Sequence, residues 1–85
     1  MEIAYKATFV KQLKKLDEDL QNEVLEKIDL FKDINNHNIL NVHKLHGKFK
    51  EKYSFYVNYK IRVVFMWISK NEVALLVVGD HDLYK

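Results

Sequence analysis

Apolar positions recur along this chain with two different periods, and the change of period divides it into a helical first half and a stranded second half. Glu2-Ile3-Ala4-Tyr5 is a short strand. Thr8 then stands where a helix N-cap is expected, ahead of Phe9, Leu13 and Leu16 at i, i+4 and i+7. Asp17 interrupts that stripe and is suited to cap a second helix. There Leu20, Val24, Ile28 and Phe31 form the apolar line and Leu25 widens it. Glu18, Asp19, Glu23, Glu26 and Asp29 cover the other side, and the pattern fades by Asn35-Asn36. Two antiparallel helices, a helical hairpin, are the economical arrangement.

Ile39 to Phe49 is a connecting segment containing His43-Lys44-Leu45-His46-Gly47, with Gly47 marking a turn. From Tyr53 the period becomes two: Tyr53, Phe55 and Val57 alternate with Ser54, Tyr56 and Asn58. Asn58-Tyr59-Lys60 makes a tight connection. Ile61 to Ile68 is nearly continuous apolar sequence broken by Arg62, as expected of a central strand covered on both faces. Ser69 to Glu72 is a hairpin turn, Val73 to Val78 the last strand, and Gly79 ends it. The predicted order is βααβββ, an antiparallel sheet with the helical hairpin on one face, in the α+β class.

Eighty-five residues make one domain, which buries only about 60–65% of the surface its unfolded chain exposes. There is no cysteine, so neither a disulfide framework nor a thiolate metal site is available. Neither a signal-like leader nor an apolar run of membrane-spanning length occurs, so a soluble cytoplasmic protein is expected. The net charge of +2 conceals an asymmetry. Residues 1–42 carry six lysines and eight acids, giving −2; residues 43–85 carry eight bases and four acids, giving +4. Between Lys44 and Arg62, six bases face only Glu51, a local density that attracts polyanions.

Arg62 is the first candidate for chemistry. A guanidinium inside an apolar strand must either pair with an acid, such as Asp80, Asp82 or a helix carboxylate, or open onto a groove and clamp an anion. Asp80-His81-Asp82, with Tyr84, is the second. Carboxylates beside an imidazole favour its charged form and suit it to proton transfer near neutrality. As a plain surface tail these residues would have no role; the strand's course toward Arg62 favours one. His43 and His46 lack a third ligand for zinc, and either is otherwise a polar loop residue or a second proton-transfer group. Tyr53, Phe55, Tyr56 and Tyr59 interleave with Lys48, Lys50, Lys52 and Lys60, a pattern of single-stranded RNA binders, although half of these rings are expected in the core. No phosphate-binding glycine loop, nucleophile elbow or metal box is present, so no cofactor is implied.

Three pieces in order resemble the RelE/ParE superfamily of type II toxin–antitoxin toxins, a likeness covering nearly the whole chain. Lys44-Leu45-His46-Gly47 resembles the family's K-L-x-G element, Ile61-Arg62-Val63-Val64-Phe65 its Y-R-V-V-Y strand, and Val78 to Tyr84 the V-G-x-H/R-x…Y ending of its ribonuclease branches. The resemblance implies a metal-independent endoribonuclease that cuts mRNA in the ribosomal A site and is silenced by a cognate antitoxin. By position, Arg62 matches the phosphate-stabilising arginine, His81 the acid of the YafQ-like and YoeB-like branches, Tyr84 the terminal substrate-positioning aromatic, and His43 the upstream histidine of the YafQ-like branch, a base. Lys44, Lys48, Lys50, Lys52 and Lys60 would bind RNA. The two lysines that RelE itself places on the following strand fall near Ser54 and Tyr56 here, so their role would pass to His43, Lys52, Lys60 or another group. A ParE-like gyrase inhibitor and a non-enzymatic module binding antitoxin or RNA are the alternatives; the Gly79-to-Tyr84 ending favours the ribonuclease.

Overall fold

The computed structural model describes residues 1–47 and 51–80. Its elements are β1 (Glu2–Tyr5), α1 (Ala7–Lys15), α2 (Glu18–Phe31), a 3-10 turn (Ile34–Asn36), β2 (His43–Lys44), β3 (Tyr53–Tyr56), β4 (Ile61–Ser69) and β5 (Glu72–Asp80). The strands form one sheet in the order β1-β5-β4-β3-β2, with the central strand β4 between its two hairpin partners.

The helical hairpin forms where the stripes predict it. Asp17 caps α2 by accepting a 2.8 Å hydrogen bond from the Leu20 N–H. The Gln21 amide closes the corner by donating to the Leu16 carbonyl at 2.7 Å. Asp17→Ala should therefore cost about 1 kcal/mol, seen as a lower denaturation midpoint at unchanged slope. An unchanged midpoint would show that the corner holds without its cap.

Two expectations about the helices are corrected. α1 begins two residues earlier, with Lys6 at the N-cap and no side-chain cap bond, so Thr8 lies inside the helix. The Lys6 N–H continues the sheet instead, donating to the Leu75 carbonyl at 3.0 Å, and this contact fixes where the chain leaves β1. Leu25 is 47% exposed, so α2 buries a single narrow line of Val24, Ile28 and Phe31.

The sheet also departs from the purely antiparallel expectation. β1 pairs with β5 in parallel, Ile3 opposite Val73, as the helical crossover between them permits. β2 is a fifth strand of two residues inside the expected connecting segment, antiparallel to β3. Gly47 follows it with a φ of +72°, a conformation that favours glycine, in keeping with the expected turn. Asn58 builds the β3–β4 turn by accepting from the N–H groups of Lys60 (2.8 Å) and Ile61 (2.7 Å).

Both helices pack on one face of the sheet. Phe9, Val24, Ile28 and Phe31 meet Phe55, Val57, Ile61, Val63, Phe65, Val73, Leu75 and Val78. Phe31 is the hub, with ring centroids 4.5 Å from Phe55, 4.8 Å from Phe65 and 4.7 Å from His37. Core positions on β5 fall at 73, 75 and 78 because a bulge breaks its register: Phe65 pairs with Leu75 but Val64 with Val77, leaving Leu76 as the extra residue. Among the described residues no helix is long and apolar enough to cross a membrane.

Candidate functional site

The face of the sheet turned away from the helices carries the chemistry. Strand alternation sends Arg62 and Val64 to this face because Ile61, Val63 and Phe65 occupy the core. Register does the rest. Tyr56 stands opposite Arg62, Ser54 opposite Val64, and His43 opposite Ser54, so β2, β3 and β4 bring His43, Ser54, Tyr56 and Arg62 onto one surface. Past the Leu76 bulge the phase of β5 is reversed, and Gly79 lies opposite Arg62. Glycine adds no side chain there.

Arg62 is 9% exposed. Its Nη1 donates to the Asn58 carbonyl at 2.7 Å and, more weakly, to the Ile61 carbonyl at 3.4 Å. Its guanidinium carbon lies 3.8 Å from the centroid of the Tyr56 ring, a cation–π contact. Among the described residues, two carbonyls and a ring thus hold Arg62; Asp82, one of the expected acid partners, lies outside the described residues. Asp80 occupies the register position opposite Ile61. Asn58 extends the anchoring into the helical layer, since its Nδ2 donates to the Glu23 carboxylate at 2.8 Å.

His43 is half-buried, and its Nδ1 lies 2.7 Å from the Asn41 carbonyl. A carbonyl only accepts, so the hydrogen of the neutral ring sits on Nδ1 and Nε2 carries the lone pair. Asn41 presents that carbonyl from a φ of +53°, a conformation that asparagine tolerates better than most residues. The His43 ring meets Tyr56 edge to face, centroids 6.1 Å apart at 88°. The Tyr56 N–H donates to the Leu40 carbonyl at 2.9 Å, which ties this strand to the segment entering β2. Ser54 is fully buried, and among the described residues its Oγ has no hydrogen-bond partner.

The structure thus gathers His43 and Arg62, two of the residues singled out from the sequence. Lys44 is exposed and pairs with Tyr53, which sets it on the opposite face of the edge strand from His43. His46 is exposed beyond β2, Lys60 is exposed in the β3–β4 turn, and Lys52 is half-buried just ahead of β3. Lys48, Lys50, His81, Asp82 and Tyr84 lie outside the described residues. Sequence reasoning placed Tyr56 among interleaved aromatics but not between the two polar residues it separates. Its offset of two from Ser54, with one short turn before Arg62, was the available signal.

No known family's sequence profile matches the chain, and no curated protein matches it by sequence. Solved structures do. YafQ of E. coli superposes with a TM-score of 0.77 at 18% identity, over 99% of this chain and 98% of its own. The RelBE2 toxin–antitoxin complex of Mycobacterium tuberculosis gives 0.75 at 17% identity, over 94% of this chain and 96% of that one. This chain has the RelE/ParE toxin fold. A conserved hypothetical protein of Helicobacter pylori shares it too, with a TM-score of 0.71 at 24% identity and 96% coverage of both chains. On the RelE/ParE fold the first two sequence pieces lie on neighbouring parts of one sheet: Lys44 to Gly47 runs out of edge strand β2, and Ile61 to Phe65 is the buried half of β4. The third begins on β5, beside β4.

Proposed function

We propose that this protein is the toxin of a toxin–antitoxin pair and that it cleaves mRNA in the ribosomal A site, in the cytoplasm, until a cognate antitoxin covers it. The observation carrying this reading is the His43–Tyr56–Arg62 row, a proton acceptor and a fixed cation on one sheet face, each against the Tyr56 ring. Ribonucleotide cleavage by protein groups alone needs a base, positive charge near the phosphorane oxygens and an acid.

His43 Nε2 takes the proton of the 2′-OH. The 2′-oxygen bonds to phosphorus as the bond from phosphorus to the 5′-oxygen breaks, and the departing 5′-oxygen receives a proton. The products are a 2′,3′-cyclic phosphate and a 5′-OH. Arg62 supplies positive charge to the transition state. Following the resemblance of their positions, His81 is assigned the acid and Tyr84 the positioning of the nucleotide. Lys44, Lys48, Lys50, Lys52 and Lys60 contribute basic charge toward the RNA backbone.

The test is primer extension on a reporter mRNA in a cell-free translation system, with wild-type protein, His81→Ala and Arg62→Ala. Ribosome-dependent cuts that disappear in both variants, with folding retained, are expected. An intact message with translation still running would overturn the ribonuclease reading and leave gyrase inhibition, to be measured by supercoiling, or antitoxin binding without catalysis.

A further inference from the structure

Arg62 is awkwardly placed for a direct grip on an anion. It is 9% exposed, one amino group is committed to the carbonyls of Asn58 and Ile61, and Tyr56 occupies a face of its guanidinium. Tyr56, directly opposite it on β3, is half-buried and stands between Arg62 and His43. Three contacts fix it: its N–H on the Leu40 carbonyl, the guanidinium at 3.8 Å, and the perpendicular His43 ring. Among the described residues its hydroxyl makes no hydrogen bond. A donor held this firmly needs no rearrangement to meet charge that develops beside it.

We infer that the Tyr56 hydroxyl touches the scissile phosphate, donating a hydrogen bond to a non-bridging oxygen as charge accumulates there, and that Arg62 is a positioning residue acting through Tyr56. The inference rests on the ribonuclease reading above. It assigns Tyr56 a catalytic contact and moves Arg62 one layer behind it. Lysine at position 62 would keep the charge, yet its compact ammonium has no planar face to lie on the Tyr56 ring while it holds the carbonyls.

The experiment compares cleavage of ribosome-bound mRNA by wild type, Tyr56→Phe, Arg62→Lys and the double variant, with thermal melting of each. Tyr56→Phe keeps the ring and its stacking. It is expected to lose about 100-fold in kcat, the loss typical of one transition-state donor, with KM within about twofold and melting unchanged. Arg62→Lys should show a similar fall, and the double variant no further fall, because the two residues act as a unit. Wild-type kcat in Tyr56→Phe would overturn the contact. Multiplying losses in the double variant would overturn the positioning role and place Arg62 on the substrate itself. Absence of cutting by wild type is a different failure: it removes the ribonuclease reading, and this inference with it.

Discussion

Phe31→Ala is expected to lower the melting temperature by roughly 20 °C, the largest stability effect of any single side chain in the molecule. Phe31 is fully buried at the end of α2, in ring contact with Phe55, Phe65 and His37 at once. It is therefore the residue through which the helical layer grips both β3 and β4. Truncating a buried phenylalanine costs about 3–5 kcal/mol, part from lost transfer energy and part from the cavity left behind. A domain of this size has only about 5–10 kcal/mol in total. His37 adds to the loss, since it stacks on Phe31 within 6° of parallel and its Nε2 donates to the Phe31 carbonyl at 2.9 Å. Calorimetry is the measurement. A fall of only a few degrees would mean that the surrounding rings collapse into the space and that the core is less interlocked than these contacts imply.

His43→Ala should reduce mRNA cleavage by between about 100- and 10,000-fold, the range for removal of a general base. The proton on Nδ1 is held by the Asn41 carbonyl, which leaves Nε2 as the acceptor. Added imidazole should restore part of the rate to His43→Ala, which a purely structural loss would not allow. Full activity in the variant would remove His43 from the reaction and pass the base to another group. Because His43 lies on the edge strand with its ring against the half-buried Tyr56, melting of the variant should change by less than about 1 kcal/mol equivalent.

Much of the architecture was legible because it rests on local rules. The Asp17 cap, the Val24–Ile28–Phe31 line, the Asn58 turn and the unbroken run of β4 each follow from a few neighbouring residues, and each is present. What escaped depends on partners distant in sequence. A two-residue strand such as β2 has no period to detect; it exists because β3 offers it an edge. The parallel pairing of β1 is chosen by the crossover, and the start of α1 by a bond from Lys6 to Leu75 on the far side of the sheet. The site shows the same division. Arg62 announced itself as a charge in an apolar strand. Its anchoring by two carbonyls and a tyrosine ring arises from the β3–β4 register, which composition cannot reveal.

The bulge at Leu76 divides β5 into two stretches with separate duties. Before it, Val73 and Leu75 face the core; after it the phase is shifted by one, so that Val78 faces the core and Gly79 lies opposite Arg62. A straight strand would couple the two, since any insertion that served one face would invert the other. With the extra residue absorbed between them, the distance from Val73 to Gly79 can drift by one without disturbing either partner surface. In this chain the spacing between Arg62 and the residues that follow β5 is therefore set by the bulge as well as by the turn.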